Sequence, residues 1–249
     1  MKFHSATLLV FITAVLALTM PAALSQVRVS NQALPTPYSE TASIKGYQPS
    51  LLMSEGDAKT LYDLMPTSVF TKHSGCYQRA EHWTHLMSTQ FEIKSMKVFL
   101  FFTDRYRREF DYKWAFHVAP LIPVRMNDGS IQEMVFDPIF VSPPSWAASS
   151  DLKKYDQKPV SIDRWTQYFI FPDSKCPVVE TYEDYLNNQE LSYCFVMKTP
   201  MYLYSPIDFA RDESGQSGSR GSSWYNPDLR IRIDWRPGDL ENTKKGLKD

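Results

Sequence analysis

The spacing of apolar positions changes along this chain, and each change predicts an element. Ala58, Leu61, Tyr62 and Met65 recur at helical spacing behind Ser54 and Asp57, a capping-box-like start, and Pro66 closes the run. A second helix is predicted from near Cys76, where Tyr77, Ala80, Trp83 and Met87 form one apolar face spaced 3, 3 and 4. Val98–Phe102 is a continuous apolar run, which predicts a strand buried on both faces. Trp114–Val124 and Ile131–Phe136 read as two strands joined by Asn127-Asp128-Gly129, a strong hairpin signal. Thr181 with Asp184 marks a further helix start. Leu191–Val196 and Met201–Tyr204 read as short strands, and Leu229, Ile231 and Ile233 alternate as in a final one. Helices followed by an antiparallel meander predict an α+β domain.

The ends of the chain read differently. Lys2 and His4 precede an apolar stretch, Ala6–Leu18, which is too short for a membrane span of about 20 residues. Pro21 and the small residues of Ala23-Leu24-Ser25 follow, so residues 1–25 read as a signal peptide cleaved before Gln26. No later segment is long and apolar enough to span a bilayer. Residues 26–50, with Pro35-Thr36-Pro37, read as an extended N-terminal arm or short pro-segment. Residues 51–240 read as a single domain and residues 241–249 as a basic tail, while the Gly- and Ser-rich stretch 211–224 reads as a loop. The expected location is secreted or periplasmic, with no membrane attachment after cleavage.

Composition narrows the function. Of 249 residues, 43% are hydrophobic and 22% charged, an ordinary globular balance. A formal net charge of −1 gives no electrostatic reason to expect nucleic acid as a partner. The nine glycines form no phosphate-cradling loop. Three cysteines in an exported protein invite pairing. Cys176 and Cys194 lie 18 residues apart, and a bridge between them would add roughly 3 kcal/mol by loop closure. Cys76 is then left over: it is either a buried, inert thiol or one kept for chemistry.

The chemistry concentrates on Cys76, His117 and Asp137. With Ser74 as N-cap, Cys76 falls in the first helical turn, where free N–H groups and the positive dipole end favour thiolate. The same N–H groups can stabilise an oxyanion. Among the five histidines, His117 stands in an apolar strand. A three-residue loop at Asn127-Asp128-Gly129 pairs Met126 with Ser130, so positions summing to 256 face each other. His117 then faces residue 139, and Asp137 lies two residues away on the same face, about 7–8 Å between backbones. Such a carboxylate would fix the imidazole tautomer and stabilise its charged form. An isolated strand histidine and a strand-end Asp before Pro138 are also ordinary structural features. His82 and His85, spaced i, i+3, match no common zinc pattern, and no metal is expected.

Cys76-Tyr77-Gln78-Arg79-Ala80, Trp114-Ala115-Phe116-His117-Val118-Ala119 and Phe136-Asp137-Pro138 resemble, in this order, the motif blocks of the bacterial protein-glutaminases. That group belongs to the transglutaminase-like, papain-like cysteine hydrolases. The resemblance covers about residues 70–145. It implies a helix carrying the nucleophilic cysteine packed on an antiparallel sheet, and deamidation of glutamine side chains in proteins or peptides through a thioester on Cys76. His117 would be acid and base, Asp137 its orienting group, and no cofactor would be needed. Tyr77, Trp114 and His73 are weaker candidates for substrate contact, and Arg79 is read as a structural ion-pair partner. The enzyme is expected to be a monomer. Only about 50 residues separate Gln26 from Cys76, so an inhibitory pro-region of the family's kind is short or absent. The same three residues would equally serve a cysteine peptidase or a transglutaminase, and an inert Cys76 would leave a non-catalytic binding domain.

Overall fold

The structure, a computed structural model, describes residues 27–34, 47–65, 76–138, 156–170 and 175–201. The signal segment, His73, Ser74, the loop at 211–224, the strand at 229–233 and the tail lie outside these residues.

In chain order the elements are β1 (Val29–Ser30), β2 (Leu51–Leu52), α1 (Glu55–Leu64), α2 (Cys76–Phe91), β3 (Met96–Phe102), α3 (Asp104–Glu109), β4 (Phe116–Arg125), β5 (Ile131–Val135), β6 (Val160–Ser161), α4 (Ile162–Thr166), α5 (Tyr182–Asn187) and β7 (Cys194–Pro200). Among the described residues this is an α+β arrangement on one seven-stranded sheet. Central β3 pairs antiparallel with β4 on one side (Val98↔Ala119) and with β7 on the other (Val98↔Lys198). β5 continues antiparallel from β4, and β6 from β5.

The sheet departs from a plain meander in two places. β7 returns to the far side of β3, and β2 runs parallel to β4 at Leu52↔Val124. β1 pairs with β2, so part of the 26–50 stretch is folded onto the domain. Arg28 fastens it there: its side chain meets the buried carboxylate of Asp57 at 3.1 Å.

β3 is buried at every position because both faces are covered. Met96, Val98, Leu100 and Phe102 face one cluster, with Trp165, Phe169 and Tyr106. Phe99 and Phe101 face another, with Ala80 of α2, Tyr185 and Phe195. The alternation is the period of two of a pleated strand. On the α2 face, Lys97 meets Glu81 of α2 in a buried ion pair. Trp83 and Met87, from the predicted apolar face of α2, join Leu61 and Tyr62 of α1 against Ile122 and Val124.

Ser54 caps α1 by accepting from the Asp57 N–H, and Thr181 with Asp184 forms a full capping box on α5. The strand predicted at 191–196 is observed as a later and longer one, Cys194–Pro200, and of the strand predicted at 201–204 all but Met201 lies outside the described residues. Pairing with β3 places Cys194 opposite Phe102, and the Cys176–Cys194 disulfide anchors that end. Leu191 instead lies in the turn after α5 and is 76% exposed. Trp114 and Ala115 precede β4, though the Ala115 carbonyl still accepts from the Phe102 N–H. Helices α3 and α4 escape periodicity because six and five residues are too few for a repeating face.

Candidate active site

Cys76 is the first residue of α2, half-buried, and the free cysteine among the described residues. A residue there has no intrahelical acceptor for its N–H, and the helix dipole is positive around it. Its Sγ lies 3.9 Å from the carbonyl oxygen of Phe116, the residue that opens β4. The helix therefore brings the sulfur to the end of the strand that carries His117.

The hairpin has the register that its turn dictates. Arg125 opposes Ile131 and Leu121 opposes Val135, with the Met126 N–H donating to the Ser130 carbonyl. Gly129 takes φ of 85°, in the region where glycine is favoured. Regular pairing stops after the Phe136 N–H donates to the Pro120 carbonyl. Asp137 then leaves the ladder, and its Oδ2 lies 2.7 Å from His117 Nε2.

His117 is fully buried and Asp137 nearly so. With a carboxylate at Nε2, that nitrogen carries the proton, and Nδ1 is the ring atom left for Cys76. Nδ1 is buried and makes no hydrogen bond of complete geometry. Burial opposes charge on this ring, but attraction and hydrogen bonding from Asp137, then from Cys76, outweigh it and push the pKa up to about 9.

Aromatic rings enclose the imidazole. Phe169 packs at 4.7 Å, Trp165 at 5.6 Å, and Trp114 stacks at 5.9 Å between centroids. Trp114 is 42% exposed, so it is the face of this enclosure that meets solvent. Tyr77 is half-buried beside Cys76, its ring 6.3 Å from that of Phe116. Cys76, His117 and Asp137 are thus drawn to one place, with Trp114 and Tyr77 at its edge.

Sequence reasoning missed two contributors, Trp165 and Phe169, and gave a third, Arg79, only a structural role. The Trp165 indole N–H donates to Asp137 Oδ2 at 2.8 Å. Phe169 forms part of the floor under His117. Arg79, buried on α2, is the third: burial lowers its pKa, and the charges of Cys76 and Asp137 act in the opposite direction. Arg79 was legible in its i, i+3 relation to Cys76. Nothing in the local pattern around Trp165 or Phe169 ties them to residues roughly thirty to fifty positions earlier. His82 and His85 stay half-buried on α2, and no cluster of three or more metal-ligating side chains occurs among the described residues.

Comparison with known proteins defines a class first. A family model described as "Glutaminase" matches residues 61–149, the segment that contains Cys76, His117 and Asp137. Over that segment the chain is similar to that family. Among solved structures, a crystal structure of protein-glutaminase is similar at 15% identity, covering 72% of this chain and 83% of that one, with a TM-score of 0.38. The solution structure of protein-glutaminase from Chryseobacterium proteolyticum shares 13% identity over 75% of this chain and 94% of that one, also at a TM-score of 0.38. The A47Q2 mutant of pro-protein-glutaminase shares 14% identity over 62% of this chain, again at 0.38, and the match spans half of that mutant's length. No curated protein matches the chain.

Proposed function

We propose that this protein is a protein-glutamine glutaminase, secreted or periplasmic, that converts glutamine side chains of proteins or peptides to glutamate. The observation that carries the reading is the 2.7 Å contact between His117 and Asp137 beside the helix that begins with Cys76, inside the glutaminase-matching segment.

In this reading the Cys76 thiolate attacks the carboxamide carbon and the carbonyl π pair moves to oxygen. The Cys76 backbone N–H, unused by the helix, is the candidate donor to that oxyanion. Collapse breaks the C–N bond, His117 gives its Nδ1 proton to the departing nitrogen, and ammonia leaves a thioester on Cys76. His117, now neutral, takes a proton from water as the water attacks the thioester. The second collapse releases glutamate and returns the thiolate–imidazolium pair. Asp137 keeps Nε2 protonated throughout. Trp114 and Tyr77 lie where a substrate chain would cross. The Cys176–Cys194 bridge supports an oxidising compartment.

The test is mass spectrometry of a generic protein substrate with an ammonia assay. Deamidation makes each reacted glutamine roughly 1 Da heavier, with ammonia released and no chain cleavage. Cys76→Ala should abolish both signals. Chain cleavage would instead identify a peptidase, and incorporation of an added primary amine a transglutaminase. Full activity in Cys76→Ala would remove the enzymatic reading altogether.

A further inference from the structure

The segment behind the His117–Asp137 pair belongs to no motif of the sequence and lies beyond the 61–149 match. It runs from β6 through α4 to Ile170. Val160 of β6 pairs with Val135 of β5, two residues before Asp137, so the two segments are registered against each other. Ser161 caps α4 by accepting from the Arg164 N–H at 3.2 Å. The turn that follows is held by Tyr106, whose hydroxyl donates to the Phe169 carbonyl at 2.8 Å.

This frame presents two rings to the site. Trp165, fully buried, directs its indole N–H at Asp137 Oδ2, 2.8 Å away. That oxygen is the one His117 Nε2 meets at 2.7 Å. A carboxylate oxygen has two lone pairs, and two donors on one oxygen occupy both. The carboxylate then cannot turn away from His117 without breaking a second bond. Phe169, edge-on to Trp165 at 5.6 Å, packs on the imidazole and holds the other member of the pair.

We infer that Trp165 is a positioning residue, whose indole N–H holds the Asp137 carboxylate in place and sets the proton affinity of His117 through it. The inference rests on the proposed glutaminase reading for its catalytic consequence, but not for its geometry. A donor on Asp137 Oδ2 draws electron density from it, so the carboxylate attracts the imidazolium less than an undivided one would. Among the described residues, the other titratable groups that face the pair include Cys76 and Arg79 from α2 and Tyr62 from α1, with Tyr168 and Asp156 further out.

The test is an NMR titration of His117 in the full chain, beside kinetics on a glutamine-containing protein. Trp165→Phe keeps a ring and removes the N–H. It should raise the His117 pKa by roughly half a pH unit or more and move the alkaline limb of kcat/KM with it. The less acidic imidazolium is a poorer proton donor to the departing nitrogen, and a carboxylate held by one bond fewer orients it less well, so kcat should fall roughly tenfold while KM stays within about twofold. Tyr106→Phe loosens the same turn without touching Asp137; it should lower the melting temperature and leave the titration in place. If Trp165→Phe does not fold, 3-benzothienylalanine at position 165, a near-isostere without the N–H, takes its place. An unmoved titration, or an equal shift in Tyr106→Phe, would overturn the inference. A shifted titration in a protein that releases no ammonia would instead reject the glutaminase reading and leave the role of Trp165 standing.

Discussion

His117 Nε2 and Asp137 Oδ2 lie 2.7 Å apart although no ladder hydrogen bond joins their residues. The β4–β5 pairing ends before either is reached, and the contact forms across the fraying mouth of the hairpin. Removing its charge gives the most direct prediction. Asp137→Asn keeps the shape but lets the imidazole take the other tautomer. The rate constant for deamidation should drop by roughly 10²–10⁴-fold. The His117 pKa should fall from about 9 toward the ordinary histidine value, because Asp137 is its strongest positive influence. Kinetics with a parallel NMR titration checks both.

A stability profile follows from the same shift. The folded pKa of His117, about 9, lies above the unfolded value near 6.5. The folded state therefore binds the proton more tightly. The resulting stabilisation is fully present below about pH 6.5 and is lost as pH rises through about 9. Its size is on the order of 3 kcal/mol. Urea unfolding at intervals between pH 6 and 10 should show the decline. Asp137→Asn, which lowers the folded pKa, should flatten it.

Lys97 and Glu81 form a buried ion pair that binds α2 to β3 beneath the site. Removing one charge takes this ion-pair partner from the other in a buried interior. Lys97→Met should cost about 3–5 kcal/mol, and Glu81→Leu a similar amount. The double variant should recover much of that loss, since no charge is then left uncompensated. A double-mutant cycle by chemical denaturation measures the coupling.

The Cys176–Cys194 bridge closes an 18-residue separation and fixes the end of β7 against β3. Replacing both cysteines by serine should lower stability by roughly 3 kcal/mol. Cys76 would then be the remaining thiol of three cysteines, so alkylation should label one site with or without reductant, against one without and three with reductant in the parent protein. Intact-mass analysis after denaturing alkylation, with and without reductant, reads this directly.

What the sequence by itself determined is local. Helices α1, α2 and α5 follow from caps and a repeating apolar face, and β3 from an unbroken apolar run. The hairpin register follows from Asn127-Asp128-Gly129, because a short turn leaves its strands no freedom to slide. From that register alone Asp137 comes within reach of His117. Tertiary structure decided the rest. The limits of β7 depend on which residues of β3 it meets and on a disulfide, so an apolar run at 191–196 is a poor guide to them. The burial that surrounds His117 comes from Trp165 and Phe169, which reach it only when β6 pairs with β5 and α4 folds over the strand end. Such contacts join residues far apart in the chain, and their energy depends on a packing that no short window of residues contains.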